Sequence, residues 1–306
     1  MKLFSGTAHP YLTRAIAQKL PTEIADCEVV RFHNSEVRVR INESVHHENC
    51  IVVQPTANPT DTHLMELVFF CDALRRAESH RVIGVLPYFG YARQNIQHRA
   101  GECVSVNVII RLLESIGFSK IYTIDLHDEA TEGVFTIPFK RLSAFPMLAS
   151  AVHTYMPTTE SVMVVSPDQG GIERARQFAN ALFGKHPFSL GVIEKKRDQN
   201  HIHESKALDL YGNVTGKTVI LVDDIVTSGK TLLNAADLCL ERGAKKVIAA
   251  VVHHDFSPEA PQLIQSSSIT RFFTTDTIAL PKEHRFEKLH EISVASLIAD
   301  ELRPAS

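Results

Sequence analysis

The stretch Lys217–Leu232, KTVILVDDIVTSGKTL, decides how this chain is read. Val219–Val222 is a continuous apolar run, the pattern of a parallel strand covered on both faces. The run ends in two acids, Asp223 and Asp224. A loop of small and hydroxyl residues follows, Thr227-Ser228-Gly229-Lys230-Thr231. Then comes a helical pattern from about Thr231 to Arg242, with Leu232, Leu233, Ala236 and Leu240 on one face and Gly243 as its stop. Such a loop wraps a phosphate with backbone N–H groups and hydroxyls at a helix N-terminus, where the dipole favours an anion. Acids at the strand end suit sugar hydroxyls or a metal–phosphate complex. The plain alternative is an acidic strand end followed by a capping loop; strand, acid pair and hydroxyl-rich loop together weigh against it. Gly229-Lys230-Thr231 is not a P-loop, because Asp224 stands where that motif needs its first glycine.

Outward from this segment, apolar runs alternate with amphipathic ones. Candidate strands are Cys27–Phe32, Cys50–Gln54, Arg81–Leu86, Lys120–Leu126, Val162–Ser166, Val219–Val222 and Lys246–Val252. A helix follows His9-Pro10, with Leu12, Ile16 and Leu20 in register and proline at its first position. The alternation predicts an α/β fold with largely parallel sheets. LESIGFSKIYTIDLH (Leu113–His127) matches LERGAKKVIAAVVHH (Leu240–His254) with one gap. Either two helix–strand units agree by chance, or the chain carries two related halves. The 306 residues, at roughly 150 per domain, favour about two domains. The expected boundaries are 1–145 and 146–306, with the helical stretch Ser293–Arg303 packing on either domain.

Composition excludes other classes. Hydrophobic residues at 44% and charged residues at 22% rule out a disordered chain. A net charge of −3 gives no general reason for a nucleic-acid or membrane partner. The cysteines at 27, 50, 71, 103 and 239 form no C-x-x-C pair and read as reduced thiols. The first residues, MKLFSGTAHPYL, lack an apolar signal core, and a cytoplasmic protein is expected. Sixteen histidines raise the question of metal, but none has zinc-motif spacing. His46-His47, His201, His203 and His253-His254 read as surface or loop histidines.

The loop Thr227–Thr231 resembles the phosphoribosyl-diphosphate (PRPP) loop of the type I phosphoribosyltransferase fold. MELVFFCDALRRA (Met65–Ala77), PYFGYARQ (Pro87–Gln94), TIDLH (Thr123–His127), VVSPDQGG (Val164–Gly171) and EKKRDQN (Glu194–Asn200) occur in the order seen in ribose-phosphate diphosphokinases, the PRPP synthetases. The resemblance runs nearly the full length. It implies two similar phosphoribosyltransferase-type domains, each a mostly parallel sheet flanked by helices. It also implies transfer of the diphosphoryl group of Mg-ATP to the 1-hydroxyl of ribose 5-phosphate, giving PRPP and AMP.

Residue roles follow from the same resemblance. Lys195 and Arg197, in a polar stretch that reads as a mobile loop, would close over the phosphates as catalytic groups. ATP would be held by Arg93, Gln94 and His127. Adenine would be held by Phe32, Asn34, Ser35 (through its backbone) and Glu36 of a neighbouring subunit. Ribose 5-phosphate would meet Asp223, Asp224, Arg197 and the loop Thr227, Ser228, Gly229, Lys230, Thr231. Mg²⁺ would be served by His127 and Asp168. The adenine contacts imply a homo-oligomer, at least a dimer, with a hexamer or tetramer expected; the active site would lie across the junction of the halves.

Several positions depart from the common form. Thr227 replaces an Asp and Lys230 a Gly, a pattern nearer the archaeal type and base phosphoribosyltransferases. Asn95 stands where the family usually has Asp. His46 replaces an Arg of the regulatory site, and the C-terminal tail is short, so weak or absent ADP inhibition at a separate site is expected. A base phosphoribosyltransferase and a catalytically silent regulatory homologue are the alternative readings. The first lacks PYFGYARQ and the Lys195/Arg197 stretch; intact Lys195, Arg197, His127 and Asp168 argue against the second.

Overall fold

The computed structural model describes residues 1–156, 161–197 and 205–303, with 195–197 and 205–208 by backbone alone. The chain divides into two compact units. The first holds Met1–Ser143, Thr277–Ala279 and the segment from Ser293; the second holds Ala144–Asp276 and Leu280–Ile292.

The first unit runs β1 (Lys2–Ser5), α1 (Pro10–Ala17), β2 (Cys27–Arg31), β3 (Val37–Ile41), β4 (Asn49–Val53), α2 (Thr60–Arg76), β5 (Arg81–Leu86), α3 (Ser105–Ile116), β6 (Lys120–Ile124) and β7 (Phe139–Leu142). Its sheet is five-stranded in the order β1-β4-β5-β6-β7, and every neighbouring pair is parallel. β4 and β6 bury side chains on both faces, as their unbroken apolar runs predict. β2 behaves differently: it pairs antiparallel with β3 in a separate ribbon whose outer residues are exposed.

The second unit runs α4 (Phe145–Tyr155), β8 (Val162–Ser166), α5 (Ile172–Phe183), β9 (Leu190–Arg197), β10 (Ser205–Tyr211), β11 (Thr218–Val226), α6 (Lys230–Glu241), β12 (Lys246–His254), α7 (Ala260–Ser266), β13 (Ile269–Thr275) and β14 (Leu289–Ile292). Its sheet is ordered β10-β9-β8-β11-β12-β13-β14. Only β10 runs antiparallel to its neighbour. The fold is α/β, with parallel sheets flanked by helices in both units.

The two sheets share one topology. β1-β4-β5-β6-β7 corresponds position by position to β8-β11-β12-β13-β14, each with an antiparallel hairpin inserted after the first strand and helix. This corrects the register of the internal repeat. The counterpart of β12 is β5, not β6, so Leu113–His127 and Leu240–His254 are not equivalent segments. Helix, glycine stop and apolar strand is the generic turn of any βα unit, and it matched one unit out of step.

The units also exchange their closing helices. α4 follows β7 in the chain but packs on α5 and beside β12, β13 and β14. The last helix, α8 (Ala295–Leu302), follows β14 but packs on α1 of the first unit. Its apolar face, Ala295, Ile298, Ala299 and Leu302, is buried there. Lys140 Nζ reaches Glu301 Oε2 at 2.6 Å, and Arg303 Nη2 donates to the Lys19 carbonyl at 3.2 Å. Of the two domains open to the terminal stretch Ser293–Arg303, it completes the first unit.

Candidate active site

In the second unit the acid pair does not end its strand. β11 continues to Val226, with Asp223 opposite Val251 and Ile225 opposite His253. Parallel pairing to β12 extends the ladder past the apolar run, so the acids sit inside the sheet. Asp224 is buried and Asp223 half-buried. Arg174 of α5 reaches both: its Nη2 lies 3.1 Å from Asp224 Oδ1 and 3.5 Å from Asp223 Oδ1. The Asp224 N–H donates to Asp223 Oδ1 at 2.9 Å. Burial, and next the Asp224 charge, push the Asp223 carboxyl well above the ordinary carboxylate range, against the pull of Arg174. Sequence reasoning missed Arg174. Its only local signal is a charged residue near the start of the helix that follows SPDQGG.

Asp168 leaves β8 and caps a short 3-10 turn, Gln169–Gly171, accepting the Gly171 N–H at Oδ1 over 3.0 Å. The loop after β11 turns on Gly229, whose φ of +76° would strain any side chain, and delivers the chain into α6. No side chain caps that helix, so its first N–H groups are presented by the loop itself. The Ser257 N–H anchors the loop by donating to the Thr227 carbonyl at 3.2 Å. Lys230 is the exposed first residue of α6; Thr227, Ser228 and Thr231 are half-buried.

Two expectations about polar stretches are corrected here. Lys195 and Arg197 lie in β9, not in a loop, opposite Ala207 and Ser205 of β10. A ladder pairs backbone groups whatever the side chains are, so a polar run beside a partner strand still forms a strand. His253 and His254 are not surface histidines; both are 2% exposed at the end of β12. His254 Nε2 faces Glu291 Oε1 at 3.7 Å, and its ring stacks on Phe256. His46 and His47 are exposed, with His46 Nδ1 at 3.0 Å from Glu78 Oε2. His201 and His203, with Asp198–Asn200 of the EKKRDQN motif, lie outside the described residues.

In the first unit PYFGYA forms a buried turn after β5. A Cβ on Gly90 would sit 2.3 Å from the Thr56 carbonyl oxygen, and the Gly90 N–H donates to Thr56 Oγ1 at 2.7 Å. The turn presents Arg93 and Gln94 exposed. Ser105 Oγ donates to Gln94 Oε1 at 2.6 Å. His127 is half-buried, beyond the end of β6. Asn95 Nδ2 donates to Asp128 Oδ2 at 2.5 Å, tying the residue after Gln94 to the residue after His127. Phe32, Asn34, Ser35 and Glu36 form the exposed tip of the β2–β3 ribbon. Ser35 has φ +70°, and the tip is closed by Phe32 N–H to Glu36 O at 2.8 Å. The Arg38 guanidinium lies over the Phe32 ring.

Comparison with known proteins matches this layout at both levels. The family model described as the N-terminal domain of ribose phosphate pyrophosphokinase matches residues 1–117, and the phosphoribosyl transferase domain matches 147–276. The ribose-phosphate pyrophosphokinase of Thermosipho africanus is 37% identical over 303 residues, covering 98% of this chain and 92% of its own. This chain belongs to the ribose-phosphate pyrophosphokinase family. The Bacillus caldolyticus member is 38% identical over 300 residues, with 98% and 93% covered. The crystal structure of the Mycobacterium smegmatis phosphoribosylpyrophosphate synthetase superposes with a TM-score of 0.91 at 33% identity, covering 98% of this chain and 96% of that one. Among ribose-phosphate pyrophosphokinases, then, this chain keeps the whole two-unit plan. The family is one of enzymes. Among the described residues no helix is long and apolar enough to cross a membrane.

Proposed function

We propose that this chain is a ribose-phosphate diphosphokinase, transferring the diphosphoryl group of Mg-ATP to the 1-hydroxyl of ribose 5-phosphate. The observation that carries this reading is the β11–α6 segment. It joins a buried acid pair, held by Arg174, to an uncapped helix start behind a hydroxyl loop, in a member of the family.

In this reading the loop Thr227–Thr231 holds the 5-phosphate with backbone N–H groups and hydroxyls. Asp223 and Asp224 accept from the sugar hydroxyls and fix the ring, while Arg174 keeps the pair from repelling itself apart. Arg93, Gln94 and His127 hold the ATP phosphates. Phosphoryl transfer is largely positioning and neutralisation of charge, so Lys195 and Arg197 act by stabilising charge on the moving group, with Arg197 gripping oxygens bidentately. The 1-hydroxyl oxygen bonds to the β-phosphorus and gives up its proton to solvent, the bond from that phosphorus to the α,β-bridging oxygen breaks, and AMP leaves.

Mg²⁺ takes oxygen ligands and retains water, so it needs one or two protein groups beside substrate phosphates rather than a protein cage. The donors fit: Asp168 offers a carboxylate whose Oδ1 accepts one backbone N–H, and no group of three His, Cys, Asp or Glu gathers among the described residues. Asp168 would hold the ion, with His127 acting partly through water. When bound, Mg²⁺ neutralises phosphate charge.

The exposed Phe32–Glu36 tip suits adenine in a neighbouring subunit of a homo-oligomer of two, four or six chains. All five cysteines are free thiols, and burial pushes Cys71 up to about 12, in keeping with a reducing cytoplasmic setting. An AMP-forming assay with ATP, ribose 5-phosphate, Mg²⁺ and inorganic phosphate tests the reading. AMP and PRPP in equal amounts are expected. Turnover of PRPP with a purine base but no AMP from ATP would identify a base phosphoribosyltransferase, and neither activity a silent homologue.

A further inference from the structure

We propose that Arg141 is a positioning residue of the nucleotide site, fixing the segment that carries His127. The inference rests on the assignment of His127 to the ATP phosphates above, and goes beyond it by naming what sets that histidine's place.

β6 stops at Ile124, and the chain then turns sharply. Asp125 has φ +27°, a left-handed conformation that a non-glycine residue keeps only when its surroundings enforce it. Two consecutive residues of β7 do so. The Leu142 carbonyl accepts the Asp125 N–H at 2.9 Å, and Arg141 Nη1 stands 3.6 Å from Asp125 Oδ1. The same guanidinium then reaches past His127 to the 3-10 turn Glu129–Val134. Its Nη2 lies 3.0 Å from Glu129 Oε1, and its Nε donates to Glu132 Oε1 at 2.6 Å.

One side chain thus anchors the chain on both sides of His127, two residues before it and two and five residues after it. The Asn95–Asp128 hydrogen bond holds the intervening step. Arg141 is itself well covered, with its side chain 20% exposed. A planar guanidinium can address three separate carboxylates through three nitrogens; a lysine ammonium, a single point, cannot. Neither TIDLH nor any motif in the sequence marks Arg141, which lies fourteen residues downstream of His127 on a different strand.

The test is a double-mutant cycle on the whole 306-residue chain, using Arg141→Lys, Arg141→Gln and His127→Ala, with ATP and ribose 5-phosphate varied in turn. Arg141→Lys and Arg141→Gln are expected to lower kcat/KM for ATP about tenfold or more, since small misplacement of a reacting group is costly. The KM for ribose 5-phosphate should stay within about twofold. In the His127→Ala background the Arg141 substitutions should cost no more than about twofold, because residues acting through one another are not additive. A full Arg141 effect without His127, rescue by lysine, or a rise of KM shared equally by both substrates overturns the proposal. An unimpaired His127→Ala enzyme instead removes the His127 assignment and the proposal with it. If the Arg141 variants do not fold, Glu129→Gln/Glu132→Gln replaces them, since both carboxylates are part-exposed. It should lower kcat/KM for ATP roughly threefold, and no change overturns the proposal.

Discussion

Asp223 and Asp224 share one guanidinium, and that arrangement sets function against stability. Burial first, and the Asp224 charge second, raise the Asp223 carboxyl. The folded protein therefore keeps a proton there at pH values where the unfolded chain has released it. Stability falls as pH climbs from the usual carboxylate range through the raised folded value. Asp223→Asn removes that loss, so it should raise the thermal midpoint at pH 7 and change it little at pH 4. Its kcat/KM for ribose 5-phosphate should fall at least about tenfold, the trade expected at a strained acidic site. A midpoint at pH 7 lower than the parent's would contradict this account. Asn95 is explained at the same scale. Facing the Asp128 carboxylate, it must donate a hydrogen bond, which the family's usual aspartate could not do without a proton.

At the scale of elements, the loop between β11 and α6 depends on Gly229. Alanine at φ +76° costs about 1 kcal/mol and shifts the N–H groups that open α6. Gly229→Ala should lower the unfolding free energy by that amount in denaturant titration and raise the KM for ribose 5-phosphate, with the KM for ATP little changed. An unchanged KM for ribose 5-phosphate would separate the loop from that substrate. The β9–β10 hairpin makes the opposite point about reading elements. Glu194-Lys195-Lys196-Arg197 has the composition of a loop, yet it pairs residue by residue with β10 up to one bulge. Composition reports solvent; pairing is decided by whether a partner strand is present.

For the whole molecule, the exchange of the last helix means that the first unit is not built from one continuous stretch. The last helix completes the first unit through Ile298 and Leu302, packed on α1. Ile298→Ala should cost about 2–5 kcal/mol, as for other buried aliphatic truncations. The loss should appear in amide exchange as earlier opening of α1, though the substituted helix follows the second unit in the chain. Earlier opening of α5 instead would place the helix's energetic role in the wrong unit.

The α/β alternation, the phosphate-type loop, the acid pair and the family are legible before any folding, because each is written in contiguous residues. Apolar runs, glycine stops and motifs such as PYFGYARQ and TIDLH carry their meaning within a dozen positions. Strands that come from distant or polar segments, β7, β9, β10 and β14, carry no such local mark. Which strands of the two units are equivalent, how far β11 runs past its acids, and the burial of His253 and His254 emerge from packing alone. It alone brought Arg174 to the acid pair and Arg141 to the His127 segment. Those contacts join side chains from different elements, and a guanidinium finds its carboxylates through the packing of a helix or strand, which no local pattern encodes.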